Sequence, residues 1–263
     1  MRLVIVTGDG PEHRFIANRI LRDHPVAAIL LCDPPPRRSW QATLRASPLR
    51  FIDKSLRQVF LRLSRDAQAR EASLTRVLGP SALAFDRQDL VIRVGRPKDG
   101  VLARRIADLA PDVIAVYGTG FIPAGVLEQA RSTALNMHTG LSPWYRGTAC
   151  ALWPLVDHRP DMIGATVHEC TPVLDGGRIF FRQAADVSAA KDLHEVFALA
   201  VRAGADGYAE TIALALAGAL AGEPQDLSVG REYRGAQLGI AAELAARRGL
   251  RLARRQARSA GSA

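Results

Sequence analysis

An asparagine and a histidine, Asn136 and His138, lie two positions apart in an apolar segment, residues 134–138, that is predicted to be a strand. Side chains two apart on a strand project from the same face, so the amide and the imidazole should point one way and Leu135 and Met137 the other. In open α/β sheets, ligands bind beyond the carboxyl ends of the strands. An amide donor and an imidazole there can stabilise the negative oxygen of an acyl-transfer transition state. On this pair alone, two satisfied polar groups at a strand end remain the simpler alternative.

A carboxylate, Asp175, follows a second predicted strand in a glycine-rich loop. An Asp-Gly-Gly triplet by itself indicates only a tight turn. Four short motifs that follow one another in a fixed order are more specific than any one of them alone. They are Asn-x-His at 136–138, Ser-Pro-x-Tyr-Arg-Gly at 142–147, Gly-x-Thr-Val-His at 164–168 and Asp-x-Gly-x-Ile at 175–179. His168 ends the third motif, and we expect it to support the site rather than to act on the substrate.

This ordered pattern resembles the formyltransferase family, which includes glycinamide ribonucleotide transformylase, methionyl-tRNA formyltransferase and the amino-sugar N-formyltransferases. The resemblance covers residues 1–185 and is dense from 112 to 182. It implies 10-formyltetrahydrofolate as the formyl donor, no metal, and Asn136, His138 and Asp175 as the catalytic residues. The amide and a protonated imidazole suit the oxygen that becomes negative when a neutral amine attacks the formyl carbon. A neighbouring carboxylate favours the protonated imidazole and can collect the amine proton.

The resemblance also implies where the pterin of the folate lies. Two loops, residues 117–123 and 171–177, should flank it. The residues expected to bind the folate are Tyr117, Gly118, Thr119, Gly120, Phe121, Ile122 and Leu174.

The turn after the first predicted strand, residues 8–14, is a second candidate binding site. A strand-to-helix turn exposes free N–H groups that suit phosphate, and in the resembling family the equivalent turn helps to hold the acceptor. His13 and Arg14 could meet a sugar-nucleotide phosphate or could only cap and solvate the helix. Arg146 could likewise shape the site or form a structural salt bridge. The residues expected to bind the acceptor are Gly8, Asp9, Gly10, His13, Arg14, Ser142, Tyr145 and Arg146.

Alternating apolar runs and helical periods must position these residues. Strands are predicted at 3–7, 26–32, 90–94, 112–117, 134–138 and 164–168, and helices at 12–23, 99–110, 124–130 and 190–221, with 39–80 mostly helical. This order predicts an α/β fold, a Rossmann-like doubly wound and mostly parallel sheet with a C-terminal helical extension. We divide the chain into a formyltransferase catalytic domain, 1–225, and a basic, mostly helical extension, 226–263.

The net charge of +9 comes almost entirely from arginine, since lysine occurs only at positions 54, 98 and 191. Such a balance fits an anionic partner, namely nucleic acid, a membrane surface or a phosphorylated substrate, or an arginine-rich solvated surface. No basic stripe is interleaved with aromatic residues, which disfavours nucleic acid as a partner. A cluster of arginines at 247–258 keeps RNA binding open as an alternative.

Cysteine usage and hydropathy suggest the compartment. Three scattered cysteines at 32, 150 and 170 show no CxxC spacing, which predicts a reducing cytoplasm without disulfides or a zinc site. No apolar run reaches 18 residues, and the N-terminal run is too short for a signal peptide. We therefore expect a cytoplasmic location and no membrane partner, and a homodimer stays open.

The acceptor is less well defined than the donor. The Thr-Gly-Leu-Ser-Pro sequence at 139–143 looks closer to enzymes that formylate amines on nucleotide-linked sugars, or a related natural-product amine. Glycinamide ribonucleotide enzymes instead resemble His-Pro-Ser-Leu-Leu-Pro at this place, and the helical stretch 39–80 is extra for them. Methionyl-tRNA is disfavoured because those relatives carry a C-terminal β-barrel, whereas only 38 residues remain from Asp226. Formyltetrahydrofolate hydrolases carry a further N-terminal domain, which disfavours them too.

Two other classes of protein are considered. A nicotinamide oxidoreductase would need a fuller glycine fingerprint, because Pro11 to His13 follow Gly10 without a third glycine, although Asp33 follows the second strand. A non-catalytic binding protein with the same fold would be expected to lack a catalytic side chain, and all three are present. A transferase therefore remains the favoured hypothesis.

Overall fold

The computed structural model describes residues 1–34, 41, 44–45 and 47–260. The strands are β1 (Leu3–Thr7), β2 (Val26–Cys32), β3 (Val91–Gly95), β4 (Val113–Tyr117), β5 (Thr133–His138), β6 (Tyr145–Gly147), β7 (Gly164–Glu169), β8 (Ile179–Ala184) and β9 (Arg231–Tyr233). Seven of them form one sheet in the order β3-β2-β1-β4-β5-β7-β8. Neighbours from β3 to β5 are parallel, and those from β5 to β8 are antiparallel. β6 and β9 pair separately, in parallel.

Helices cover both faces of this sheet. They are α1 (Pro11–Asp23), α2 (Pro48–Leu63), α3 (Asp66–Leu78), α4 (Val101–Leu109), α5 (Ala124–Leu127), α6 (Trp153–Val156), α7 (Leu193–Leu216) and α8 (Ile240–Ala260). β1 shows why both faces are covered, because every residue of this apolar strand is buried. Leu3 and Ile5 belong to a core with α1, α3 and α7, whereas Val4 and Val6 belong to a core with α4 and α5.

The long helix α7 lies close against the sheet beneath the predicted site. A Cβ at Gly204 would lie 2.6 Å from the Cβ of Ala165, so only glycine permits this approach. The buried Tyr208 hydroxyl lies within hydrogen-bond distance of the carbonyl oxygens of Val116, at 2.9 Å, and of Leu135, at 3.1 Å. α7 therefore holds two neighbouring strands, β4 and β5, at the edge where the site is expected.

The strand order places that edge at a change of direction. The chain builds outward from β1 through β2 to β3, and then returns to the other side of β1 with β4 and β5. The carboxyl ends of β1, β4 and β5 therefore lie together at the point where the order reverses. In open α/β sheets this is where a crevice for ligands forms.

The α/β fold and the mostly parallel, doubly wound sheet are confirmed, as is a C-terminal helix, Ile240–Ala260. The helix predicted at 190–221 spans Leu193–Leu216, and it starts at Leu193 because the Asp192 carboxylate accepts the N–H groups of His194 and Glu195 and so caps it. The helix predicted at 124–130 is confined to four residues. Of the predicted helical stretch 39–80, residues 39–40, 42–43 and 46 lie outside the described residues.

The boundary at 225/226 stays a prediction, but residues on both sides of it are in contact. β9 pairs with β6, and α8 packs on α6 with Gly249 close to the Leu155 carbonyl. None of the helices in the described part of the chain has the length and apolar content that a bilayer crossing needs.

Candidate active site

The three predicted catalytic side chains come together where β5 ends. Asn136 and His138 lie on β5, and Asp175 lies on the loop between β7 and β8. His138 Nδ1 and Asp175 Oδ2 are 3.4 Å apart, and both residues are only 8% exposed. All three border a space of about 500 Å³, which we call the catalytic cleft. Its wall consists of Glu12, His13, Tyr117, Gly118, Thr119, Gly120, Phe121, Asn136, Met137, His138, Thr139, Gly147, Thr148, Ala149, Leu174, Asp175 and Phe197.

Asp175 is held on both its side chain and its backbone. The Gly147 N–H donates to Oδ2 at 2.8 Å, and the Gln225 amide donates to the carbonyl oxygen at 2.9 Å. The residue has φ of 48°, in the left-handed region that aspartate tolerates better than most residues. Burial alone would raise the pKa of Asp175, but His138, His168 and the Gly147 N–H hold it well below its usual range. The carboxylate is therefore ionised at neutral pH.

The contacts of His138 assign a role to each ring nitrogen. Nε2 lies 3.0 Å from the carbonyl oxygen of Tyr145. A carbonyl oxygen can only accept, so Nε2 carries a proton and Nδ1 is the nitrogen that gains or loses one. Nδ1 is also the nitrogen that faces Asp175. Gly140 permits this arrangement, because a Cβ there would collide with the ring and with the Tyr145 carbonyl.

His168 lies on the other side of the carboxylate. Its Nδ1 is 2.8 Å from the Glu169 carbonyl oxygen, and its Nε2 is 3.4 Å from Asp175 Oδ1. The same Nε2 lies 3.1 Å from the amide nitrogen of Asn136. His168 Nε2 therefore lies between the Asp175 carboxylate and the Asn136 side chain and contacts both. This contact agrees with the supporting role expected for His168.

Beside the catalytic cleft lies a smaller space of about 80 Å³, which we call the slot. Two loops border it, one with Gly120, Phe121 and Ile122 and the other with Val173 and Leu174. Phe121, Val173 and Leu174 are 57%, 51% and 46% exposed, so apolar side chains stand open at this end of the sheet. Such a lining suits a flat heteroaromatic ring. The remaining predicted folate residues, Tyr117, Gly118 and Thr119, border the cleft instead.

His13 reaches the cleft from the turn after β1. Its Nδ1 accepts the Gly8 N–H at 3.1 Å, and the ring packs against Tyr117 with 5.2 Å between centroids. Burial lowers the pKa of His13, so the ring is neutral at physiological pH. A Cβ at Gly118 would collide with the same ring. His13 therefore joins the ends of β1 and β4 as well as lining the cleft.

The rest of this turn does not border the cleft. Arg14 donates to Asp9 at 2.7 Å and to the Leu83 carbonyl at 3.1 Å, and Asp9 also pairs with Arg93 at 2.8 Å. The positive charge of Arg14, which was expected to contact a phosphate, is therefore paired with Asp9. Gly8 and Gly10 likewise pack against neighbouring side chains rather than bordering the cleft. That Asp9 and Arg14 contact the acceptor stays a prediction; in the structure their charges are paired with each other.

Three further residues predicted to bind the acceptor are buried or form hydrogen bonds within the protein. Ser142 is fully buried, and the Tyr145 hydroxyl donates to Asp157 at 3.1 Å. The Arg146 guanidinium donates to the carbonyl oxygens of Pro143 and Leu227, each at 3.2 Å. None of the three borders the cleft or the slot. They shape the loop after β5, and for Arg146 the structural alternative is the one observed, with carbonyl groups in place of a salt bridge.

Other residues of the cleft were not anticipated from the sequence. Glu12 and Phe197 border the end near His13, and Thr148 and Ala149 follow the Gly147 that binds Asp175. Glu12 adjoins a turn already singled out, so its position along the chain was a usable signal. Phe197 belongs to a distant helix and carried no such signal. Among the described residues, no three or more His, Cys, Asp or Glu side chains are grouped so as to hold a metal.

Comparison with known proteins agrees with this geometry. The model of the formyl transferase family matches residues 49–212. The chain is 31% identical over 131 residues to methionyl-tRNA formyltransferase of Chlorobium chlorochromatii, covering 50% of this chain and 41% of that protein. The chain thus spans less than half the length of this relative.

Solved structures share the fold. A sugar N-formyltransferase from Shewanella has a TM-score of 0.58 at 12% identity, over 94% of this chain and 86% of that one. A glycinamide ribonucleotide transformylase from Symbiobacterium toebii has a TM-score of 0.54 at 16% identity, over 86% of this chain and 94% of that one. At such identities these similarities concern the fold alone. The family match, in contrast, covers more than half of the sequence, and the chain therefore belongs to the formyl transferase family.

Proposed function

We propose that the protein transfers a formyl group from 10-formyltetrahydrofolate to the primary amine of a small acceptor, an amino sugar carried on a nucleotide. The observation that carries the proposal is the grouping of Asn136, His138 and Asp175 around one cleft, in a chain of the formyl transferase family. An amide, an imidazole and an ionised carboxylate at one point suit acyl transfer to an amine.

The slot fits the folate donor. Its apolar side chains, Phe121, Ile122 and Leu174, can enclose a flat pterin, and it shares Asn136 and Asp175 with the catalytic cleft. When bound, the folate supplies an activated formyl group on its N10 nitrogen. Binding in the slot would bring that group to the shared wall, where the polar side chains are.

Asn136 and His138 would act on the formyl oxygen. The Asn136 amide nitrogen lies 3.1 Å from His168 Nε2, and Asn136 borders the cleft. His138 can donate through Nδ1, since its Nε2 is occupied by the Tyr145 carbonyl. Donors already oriented toward a developing negative charge stabilise it without reorganisation, and removing one typically costs about 10²–10³ in rate.

The charge of Asp175 determines its role in the proposed reaction. Its lowered pKa makes the carboxylate a weak base but a steady negative charge beside His138 Nδ1. The carboxylate lies 3.4 Å from Nδ1, and from that nitrogen only the protonated imidazole can donate to the formyl oxygen. We infer that Asp175 acts mainly through His138. The proton of the attacking amine passes through water to the N10 nitrogen, which leaves as tetrahydrofolate when its bond to the formyl carbon breaks.

Two observations bear on the acceptor. The sequence after His138 and a cleft of about 500 Å³ favour a small amine. The identity to a protein named methionyl-tRNA formyltransferase favours methionyl-tRNA as a second candidate. Glycinamide ribonucleotide or another natural-product amine remains the alternative within the small-molecule class.

The test is an acceptor screen with 10-formyltetrahydrofolate as donor and tetrahydrofolate release as the readout. The panel contains amino-sugar nucleotides, glycinamide ribonucleotide and methionyl-tRNA, each with and without protein. We expect release with an amino-sugar nucleotide. Release with methionyl-tRNA alone would overturn the acceptor but retain the chemistry. Binding of NAD but not of 5-formyltetrahydrofolate, measured by fluorescence titration, would overturn both.

A further inference from the structure

A row of exposed apolar side chains runs along α2, and we call it the α2 stripe. Leu49, Ile52, Leu56, Val59 and Leu63 are each more than half exposed, and the two terminal leucines are 80% and 81% exposed. Their spacing alternates between three and four residues, so they form one continuous line on a helix about 24 Å long. Single exposed apolar residues are ordinary, but a contiguous set marks an interaction surface.

The face of α2 next to the stripe packs against α8. Asp53 accepts the first N–H of α8 at 2.9 Å, Arg57 pairs with Glu243 at 3.1 Å, and Arg247 lies over the Phe60 ring at 5.2 Å. The contacts advance along both helices together, so α2 and α8 lie side by side and run in the same direction. These contacts fix α2 in place, and its stripe lies on the adjacent, exposed face of the helix.

The charges around the stripe are of one sign. Asp53 is the only acidic residue of α2, and it is engaged with the start of α8. The basic residues of the two helices that are exposed or half-buried are Arg50, Lys54, Arg57, Arg62, Arg247, Arg248, Arg251, Arg254, Arg255 and Arg258, of which Arg57 and Arg247 pair with Glu243. An apolar line bordered by cations suits a partner that is both apolar and anionic.

A second copy of the chain fits this surface poorly. The stripe is centred on Leu56, and an antiparallel pair of α2 helices about that residue would bring Arg50 of one copy next to Arg62 of the other. Like charges so close oppose association. A bilayer with anionic phospholipids presents no such conflict, because its surface is flat, negative and apolar a few ångströms down.

We propose that α2, with α8 beside it, attaches the protein to an anionic phospholipid surface. The α2 stripe enters the boundary between headgroups and acyl chains, and the arginines contact lipid phosphates. Amphipathic helices with apolar and basic faces bind membranes in this way, lying in the plane of the interface. Attachment to one leaflet needs no spanning segment, and it departs from the expectation of no membrane partner, which considered only spanning and signal segments.

The test is co-sedimentation of the full chain with vesicles of phosphatidylglycerol and phosphatidylcholine, against vesicles of phosphatidylcholine alone. We expect binding only to the anionic vesicles, weakened at high salt because exposed charges are then screened. Leu56→Glu should lower the partition coefficient at least tenfold, and so should the triple variant Arg248→Glu, Arg251→Glu, Arg255→Glu.

Leu83→Glu is the matched control, since Leu83 is 61% exposed and lies outside α2 and α8. It should bind vesicles as the wild type does. Circular dichroism of each variant should match the wild type, because the replaced side chains are exposed. Absence of binding to anionic vesicles, or equal weakening by Leu83→Glu, would overturn the proposal. A dimer in light scattering that Leu56→Glu dissociates would also overturn it, in favour of a second copy.

Discussion

At the level of single residues, Asp175 lies between two imidazoles that are each anchored to a backbone carbonyl. His138 uses Nε2 for its carbonyl and His168 uses Nδ1, so opposite ring nitrogens are turned toward the carboxylate. The carbonyl contacts determine which nitrogen is protonated in each neutral ring. Two histidines around one aspartate therefore have different surroundings, since His138 borders the cleft and His168 contacts Asn136.

Replacing each member of the trio should reduce catalysis without unfolding the protein. Asn136→Ala, His138→Ala and Asp175→Asn should each lower turnover by roughly 10² or more, because each removes a donor or the charge that sustains it. Steady-state assays with the acceptor found in the screen would measure this. His158→Asn, at an exposed position outside the cleft, serves as the control. Near-normal turnover of His138→Ala would contradict the mechanism.

The lowered pKa of Asp175 predicts a pH dependence of stability. A carboxylate whose pKa is depressed by folding contributes stability above its unfolded pKa of about 3.9, and this contribution is lost as the pH falls through the folded pKa. The difference in free energy of unfolding between the wild type and Asp175→Asn should therefore be largest near neutral pH. Urea unfolding at about pH 7, 5 and 3 would measure it. A difference that grows toward acid would contradict the assignment.

At the level of elements, the short β6–β9 pair connects the catalytic loop to the C-terminal part of the chain. Gly147 ends β6, has φ of 97° and donates its N–H to Asp175 at 2.8 Å. A Cβ there would collide with the carbonyl of Tyr233 on β9. One glycine thus serves both the strand pairing and the carboxylate.

Gly147→Ala should accordingly affect stability and activity together. The collision and the positive φ should lower the free energy of unfolding by about 2 kcal/mol or more, and the displaced N–H should reduce turnover. Gly235→Ala is the matched control, because its Cβ would only meet Thr148 Cγ2 at 3.7 Å. The control should stay within about 0.5 kcal/mol of the wild type in urea unfolding. Equal effects of the two variants would argue against the collision.

At the level of the whole molecule, α8 is packed as part of the structured body. Ala246 and Leu250 share a buried cluster with Leu155, Ala190 and Val196, which come from the loops and helices beyond β5. The acidic Glu243, only 3% exposed, is paired with arginines from α2 and α8. The basic extension predicted at 226–263 is therefore attached through its apolar side, while its arginines face outward.

This packing predicts unequal effects of two leucines on α8. Leu250→Ala should lower the free energy of unfolding by about 2–4 kcal/mol, since Leu250 is 4% exposed and its loss leaves a cavity. Leu252→Ala, at 37% exposure, should cost less than about 1 kcal/mol. Urea unfolding would show one cooperative transition for both variants. Two separate transitions would indicate that the extension is an independent unit.

Much of the fold followed from local patterns. The all-apolar runs of β1 and β4 predict buried parallel strands, because only such strands are covered on both faces. The alternation of Asn136 and His138 with Leu135 and Met137 determined which side chains share a face of β5. In these segments a period of two or of 3.6 residues carries the information within a few neighbouring positions.

Contacts between distant segments could not be derived in this way. Arg146 and Arg14 were plausible ligands for a phosphate by residue type, yet their partners are two carbonyls and Asp9. The start of the helix predicted at 190–221 is a different case, because its cap at Asp192 is a local contact of a kind that a sequence can indicate. Whether a charged side chain is available to a ligand depends on what the fold packs beside it.

By itself the sequence determined the class of fold and the family resemblance and predicted a catalytic trio, because these rest on residue type, order and spacing along the chain. The tertiary structure decided that Asp175 is ionised between two histidines and that the α2 stripe is left exposed. It also decided that most of the turn after β1 is satisfied internally. The physical reason is that pKa, exposure and hydrogen-bond partners depend on neighbours in space, and those neighbours come from segments far apart in the chain.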